Sequence, residues 1–463
     1  MLTEVCRRWR HVVLGSPRRL KLRNVCTNTT PTSRLLDIWP SFPIVVFLPP
    51  LCPVVDKNGI ENIIAALECR DRTSEIHIFD IRGPVLEKLV AILREPLPVL
   101  THFALGSTDE SVPVLPETFL GGFAPRLQSL LLRGIPFSSF PKFVSCFTQI
   151  VHLHLLEIPS SGYISPKVMA TCLAALPNLK SLAIGFRSPP SRPFQSILPH
   201  FTRVALPALS SLSFFGISEY FEDFVAQIDT PQLNWLNVAF FMDLIFDIPR
   251  LRNFIGHTEG LKPLNQAVIE FSGWAIKIVL GSSTRFELEI RCERQDWQLS
   301  STTQIFGQQL LLLSQVEQLV LCEFPWGSFE WKDDPDMDSS QWLELFRLFV
   351  AAQSLHVSER LVSPVARALQ HLTGQMATEV FPVLQTLFLE GLQQSGPVHE
   401  AMETFANARP PSNRPVVIER WESRSQPWLT RDGRSTSRTK DHLPYCPWHT
   451  RSKTSTVMRH FYL

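Results

Sequence analysis

Hydrophobic positions recur along this chain in one group: Pro177-Asn178-Leu179-Lys180-Ser181-Leu182-Ala183-Ile184 reads P-x-L-x-x-L-x-L. The closing L-x-L alternation predicts a short strand with one face buried. The leucine three residues earlier covers the turn into that strand, and the proline stops the preceding helix. The group returns at Pro98-Val99-Leu100 with Phe103-Ala104-Leu105, at Pro125-Arg126-Leu127 with Leu130-Leu131-Leu132, and at Gln149-Ile150 with Leu153-His154-Leu155. It continues at Pro207-Ala208-Leu209 with Leu212-Ser213-Phe214 and at Pro231-Gln232-Leu233 with Leu236-Asn237-Val238. Pro249-Arg250-Leu251 with Phe254 reads as a weaker copy, and Val316 with Leu319-Val320-Leu321 and Pro382-Val383-Leu384 with Leu387-Phe388-Leu389 restore the motif downstream.

The first apolar positions of the groups are Leu100, Leu127, Ile150, Leu179, Leu209 and Leu233. Their drifting separation lies around the roughly 20 to 29 residue period of leucine-rich repeats. The asparagine or cysteine that normally follows the strand is missing, so the copies are irregular. Between them, Val168, Cys172 and Leu176 after Pro166, and Phe221, Phe224, Val225 and Ile228 before Thr230-Pro231, predict amphipathic helices. A single strand-helix unit cannot bury its own apolar face, whereas stacked neighbours share one core. The expected architecture is α/β: an irregular leucine-rich-repeat solenoid with a parallel sheet lining one face and helices on the other. In the middle of the chain, residues 267–271, 275–280 and 286–290 read as three closely spaced strands with a turn at Gly281-Ser282-Ser283. Leu288-Glu289-Ile290 is expected to be a degenerate repeat copy preceding Leu319. Pro325 to Asp334, with Trp326, Phe329 and Trp331, reads as a loop whose aromatics fold back on the solenoid edge or, as the alternative, recognise a partner, and Trp342, Leu345, Phe346 and Phe349 form a further helix.

Composition narrows the class. Hydrophobic residues make up 44% and charged residues 19% of the chain. That is enough apolar material for a large core. The net charge of +1 is uneven: positions 409–463 hold 11 Lys or Arg against 4 Asp or Glu. What is left is a mildly acidic body that offers nothing to nucleic acid. Nine cysteines without a C-x-x-C pair predict a reducing compartment, cytoplasmic or nuclear, and Cys172 and Cys322 read as core residues. The longest apolar run, Ile44 to Val55, is broken by three prolines and is too short to span a bilayer, so no membrane partner is expected.

At the start, Leu2, Val5, Trp9, Val12 and Val13 fall on one helical side with arginines opposite, and Ser16-Pro17 ends the helix. Val5-Cys6-Arg7-Arg8-Trp9-Arg10 followed by Ser16-Pro17 and Leu20 resembles the last helix and exit of an F-box, the module that binds the small adaptor subunit of cullin-RING ubiquitin ligases. With Leu35-Leu36-Asp37-Ile38-Trp39-Pro40 and the loose repeats behind it, the chain looks like the F-box proteins of mushroom-forming fungi. The resemblance runs to a closing strand at Pro415-Val416-Val417-Ile418-Glu419-Arg420-Trp421. It implies that Val5, Cys6, Trp9, Val12, Pro17 and Leu20 contact the adaptor while the repeats hold a protein substrate. The leucine-proline opening and two helices that come before Val5 in that family have no counterpart here, so the F-box is expected to be truncated.

Signatures of catalysis are missing: there is no G-x-S-x-G elbow, phosphate-cradling glycine loop or H-E-x-x-H helix. His442, Cys446 and His449 cluster, but a tetrahedral site needs four ligands and no fourth lies nearby. His152 and His154 share one strand face and read as exposed side chains of the sheet rather than as half a metal site. The expectation is therefore a non-enzymatic chain without cofactor or metal. Its parts are a partial F-box at 1–24, a repeat solenoid at 25–421 and a basic, disordered tail at 422–463. Its expected role is the substrate-recognition subunit of a cullin-RING ligase. The alternative is a repeat scaffold whose N-terminal helix only caps the first repeat.

Overall fold

Four consecutive repeat groups close on the same hydrogen bond, in which the amide of the first apolar residue donates to the carbonyl three residues back. It runs from Leu127 to Ala124 (3.1 Å), Ile150 to Phe147 (3.1 Å), Leu179 to Leu176 (3.2 Å) and Leu209 to Leu206 (3.2 Å). The turn drops those four side chains into the interior, where each is buried. Successive turns then stack: the amide of Gln128 donates to Thr101 (2.8 Å), Val151 to Gln128 (2.8 Å), Lys180 to Val151 (2.8 Å) and Ser210 to Lys180 (2.9 Å). One repeat thus supplies the acceptors that the next repeat's backbone needs.

The computed structural model describes residues 22–38, 42–48, 56–109, 112–189, 203–241, 248–262, 264–281, 285–292, 295–307, 313–323, 339–370, 372, 376, 379–391, 395–409 and 415–421. The chain divides into two compact units, one of residues 1–213 and 227–231 and one of residues 214–226 and 232–463. In the first, strands β1 (Asn24–Cys26), β2 (Ile44–Leu48), β3 (Thr73–Ile78), β4 (His102–Gly106), β5 (Ser129–Arg133), β6 (His152–Ile158) and β7 (Ser181–Phe186) lie side by side in sequence order, every neighbouring pair parallel. Next come β8 (Val204–Ala205), β9 (Ser211–Gly216), which leaves the first unit after Ser213, and β10 (Ile228–Asp229), which pairs with β8. The register aligns Ile76, Phe103, Leu130, Leu153 and Leu182 in one row and Ile78, Leu105, Leu132, Leu155 and Ile184 in another. Both rows are buried, and they form the core face.

Helices Lys57–Glu68, Gly83–Ile92 and Pro166–Leu173 connect strands of this unit. The Asp56 carboxylate accepts the Gly59 amide (2.7 Å), and the Ser165 hydroxyl accepts that of Val168 (3.4 Å). Each contact caps a helix start. The helix after Ser165 buries Met169, Ala170, Cys172 and Leu173, while Val168 is exposed. Cys172 and Leu176 are buried as predicted, and only Val168 is corrected, to an outward position. The apolar run Val168-Met169-Ala170 fits either phase, and Val168, in the capped first turn, faces outward.

The second unit contains β11 (Trp235–Phe240), β12 (Gln266–Phe271), β13 (Ala275–Leu280), β14 (Arg285–Arg291), β15 (Gln318–Glu323), β16 (Ser354–Val357), β17 (Thr386–Glu390) and β18 (Val417–Trp421). Their spatial order is β11-β14-β13-β12-β15-β16-β17-β18. The three predicted middle strands are present, but β13 runs antiparallel to both β12 and β14, which corrects the expectation of an all-parallel sheet. The cause is connector length. Only Ser272 to Trp274 separate β12 from β13, and a parallel crossover needs roughly a dozen residues or more. The meander also reverses the expected neighbours. β12, not the segment Leu288-Glu289-Ile290, lies beside β15.

Pro249-Arg250-Leu251 is likewise corrected from a repeat copy to the start of helix Pro249–His257, which buries Leu251 and Ile255. Glu222, on helix Ser218–Val225, holds that start by accepting the amides of Arg250 (2.8 Å) and Leu251 (2.7 Å). Amides of a first helical turn have no partner within their own helix, so an outside carboxylate satisfies them. Burial raises the Glu222 carboxyl pKa, and the two amides and the neighbouring arginines oppose that rise. A Glu222→Ala variant is expected to lose about 2 kcal/mol, because two helix-start amides lose their acceptor. A urea midpoint unchanged from wild type would remove Glu222 as the cap. Helices Gln295–Gly307, Ser339–Phe346, Glu359–Gln370 and Pro397–Asn407 complete this unit's packing; Trp342, Leu345 and Phe346 lie buried on the second of them as predicted, whereas Phe349, expected on the same helix, is buried just beyond its end, and β18 is the predicted closing strand.

Candidate functional site

Because strand side chains alternate, the residues between the buried rows form a second sheet face. In the first unit this face carries a row of Glu75, His102, Ser129, His152 and Ser181, and a row of His77, Ala104, Leu131, His154 and Ala183. The Glu75 carboxylate pairs with Arg23 and lies 3.6 Å from His77 Nε2 and 3.9 Å from His102 Nδ1. A hydrogen bond from His77 holds its pKa down, against the opposing effect of burial. Burial lowers the pKa values of His102 and His152, and takes His154 down to about 4. His154 Nε2 meets Ser181 Oγ at 3.2 Å. His152 and His154 thus lie on the predicted face but are half-buried rather than exposed, since they stand between paired strands on both sides. At neutral pH His102, His152 and His154 are uncharged donors and acceptors, suited to hydrogen bonding rather than charge pairing.

At the C-terminal ends of the same strands, Arg133 donates from Nε (2.9 Å) and Nη2 (2.8 Å) to Glu157 Oε1. Glu157 lies within a register break and has a positive φ of 50°. That is a strained conformation for a residue with a side chain. Arg187 donates from Nη1 to the Asp109 carbonyl (2.9 Å). Gly134, whose φ is also positive, permits the crowding here, for a Cβ would lie 2.1 Å from the Ser107 carbonyl oxygen. Only a residue without a side chain accepts both conditions. Among the described residues no three His, Cys, Asp or Glu side chains gather as a metal would require.

The second unit's equivalent face is different. Across β13 and β14, Lys277 pairs with Glu287, Arg285 Nε lies 2.6 Å from Glu287, and Arg291 Nε lies 3.3 Å from Glu289. From β12 to β17 the face turns apolar along Val268, Val320, His356 and Phe388. His356 stacks on Phe388 (4.3 Å between ring centroids) and meets Trp421 edge-on (5.3 Å). Its Nε2 lies 3.0 Å from Gln318 Nε2, and burial takes its pKa down to about 4. The neutral ring therefore accepts at Nε2 and carries its proton on Nδ1.

The sequence singles out His152 and His154 but misses Glu75, His77 and His102, whose only signal is their equivalent position before or within a repeat strand. It misses His356 because β16 lacks the proline-leucine group: Ala352 stands where the other repeats carry a large apolar residue. Val5, Cys6, Trp9, Val12, Pro17 and Leu20 lie outside the described residues, as do the aromatic loop from Pro325 and the His442, Cys446 and His449 cluster. No helix among the described residues is long and apolar enough to cross a membrane.

No family model matches the chain, and no curated protein matches it. Among solved structures it is similar to the leucine-rich repeat-containing protein LegL7 from Legionella pneumophila, at 13% identity. That match covers 76% of this chain and 94% of the other, with a TM-score of 0.28.

Proposed function

We propose that this chain is a non-catalytic recognition protein whose second sheet faces hold a protein partner, and that it serves as the substrate-recognition subunit of a cullin-RING ubiquitin ligase. The observation that carries the first part is the face itself. Side chains of mixed chemistry, with Glu75, His77, His102, His152 and His154 half-exposed among them, stand at fixed strand spacing on a backbone whose hydrogen bonds pass from repeat to repeat. Such a surface is rigid without being closed, which suits a macromolecule better than a small substrate. The second part is supported by the F-box-like stretch from Val5 to Leu20, with Val5, Cys6, Trp9, Val12, Pro17 and Leu20 assigned to the adaptor.

The test is retention of the purified adaptor subunit by immobilised full chain, compared with a Trp9→Ala variant. Retention by the wild type, reduced at least about ten-fold by the variant, is the expected result. No retention by the wild type overturns the ligase assignment and favours a repeat scaffold.

A further inference from the structure

On the second face of the first unit, two histidines stand on either side of one small residue. His102 and His152 are both in register with Ser129, each on a neighbouring strand. Strands lie about 4.8 Å apart, so a group seated over Ser129 has an imidazole at either hand. The place is open to solvent: the His102 side chain is 36% exposed, His152 is half-buried, and only Ser129, the floor between them, is buried.

The hydrogen bonds beneath His102 fix where its proton sits. Thr101 Oγ1 donates to the Ser74 carbonyl (3.0 Å). A hydroxyl has one proton to give, so the same oxygen accepts from His102 Nδ1, 2.9 Å away. The neutral ring therefore carries its hydrogen on Nδ1 and presents a lone pair at Nε2. A second proton, taken up at Nε2, turns that lone pair into a charged donor.

The charges around the two rings decide what such a donor meets. Strand β3 brings Glu75 and His77, and Glu75 is already engaged by Arg23 and His77. Strand β5 brings Arg133, which pairs with Glu157 of β6. His154, also on β6, bonds Ser181 and is held neutral by burial. The neighbouring positions of β2 and β7 are the uncharged Val45, Phe47, Ser181 and Ala183. Lys180, exposed in the turn before β7, adds a positive charge. Burial, then His102, then Lys180 lower the His152 pKa, so this ring lacks an anion beside it. The carboxylates of the face are spoken for, and its uncommitted charge is positive.

We propose that the notch over Ser129 takes an aspartate or glutamate side chain of a partner protein, held between His102 and His152, and that this binding strengthens as the pH falls. The incoming carboxylate accepts from protonated His102 Nε2 on one side and from protonated His152 on the other. The protons come from solvent, and no covalent bond among heavy atoms changes. The proposal rests on reading the sheet face as the substrate-binding surface, and it names the chemistry of what binds there. Each ring that is neutral in the free chain and charged in the complex makes the affinity rise up to about ten-fold per pH unit.

The experiment is selection of a random heptapeptide phage library on the immobilised full chain at about pH 6, followed by fluorescence-polarisation titration of the leading peptide between about pH 8 and pH 6. The expected consensus contains aspartate or glutamate, and the affinity rises at least about ten-fold across the range. His102→Gln, which keeps a polar group and cannot titrate, is expected to lower the slope by about one proton while leaving affinity near pH 8 within about two-fold. His257→Gln, an exposed histidine of the second unit, leaves the slope unchanged. Failure to enrich any sequence, a basic or uncharged consensus, an affinity independent of pH, or equal slopes for wild type and His102→Gln overturns the notch. Thermal melts check folding, and should His102→Gln fail to fold, His152→Gln is read in its place against the same expectation. Adaptor retention is scored separately. A chain that binds the acidic peptide but not the adaptor loses only the ligase assignment, and one that retains adaptor but selects no acidic peptide loses only the notch.

Discussion

A Phe221→Ala variant is expected to unfold with about 4 kcal/mol less stability than wild type, measured by urea denaturation at pH 7. Phe221 is fully buried, and its ring stacks on Phe214 (4.6 Å between centroids) and lies 6.4 Å from both Phe224 and Phe240. Those neighbours come from a strand, the same helix and a second strand, so no single movement refills the space. Removing the ring leaves a cavity as well as a lost transfer free energy. Phe123→Ala provides the contrast. Its side chain is exposed, and the change should stay within about 0.5 kcal/mol. A loss below about 1 kcal/mol for Phe221 would mean that helix Ser218–Val225 does not dock through this stack.

The aromatic stack shows which parts of the fold the sequence makes legible. Phe221, Phe224 and Val225 stand at helical spacing, and Leu212 and Phe214 alternate as a strand, so element type and buried face follow from periodicity. Where a proline-leucine group is present, the strand is found. Where the group is degenerate it is missed, as at β2, β3 and β16, whose turns carry other residues. Pro249-Arg250-Leu251 fails for the opposite reason, since P-x-L also opens a helix when a carboxylate such as Glu222 comes from elsewhere to cap it. Strand order is out of reach locally. The meander β12-β13-β14 has ordinary strand patterning, and only its short connectors betray the antiparallel turn. The second face is the least legible part, because its chemistry is built by register. Gln318, His356, Phe388 and Trp421 come from four strands, and nothing in their separation along the chain brings them together.

Lowering the pH is expected to destabilise the second unit through His356, by about 3 kcal/mol between pH 6.5 and pH 4. The ring is almost wholly buried, and burial takes its pKa from the ordinary 6.5 down to about 4. Above pH 6.5 both folded and unfolded chains hold the ring neutral, so the group contributes no pH dependence. Between 6.5 and 4 the unfolded chain takes up a proton that the folded chain refuses, and stability falls by ~1.4 kcal/mol per unit. Below 4 both forms are protonated and the loss stops growing. His154 in the first unit has the same shift and direction. Glu222 and Glu323, whose pKa values burial raises, act in the opposite sense, while Glu75, whose pKa is lowered, adds to the loss at the acid end. The upper part of the window, from about pH 6.5 to 5, therefore isolates the histidines best. Urea denaturation at half-unit steps should give a wild-type slope that becomes shallower in His356→Gln, which keeps a polar group and cannot titrate. Equal slopes for the two chains would mean that the folded ring accepts its proton freely.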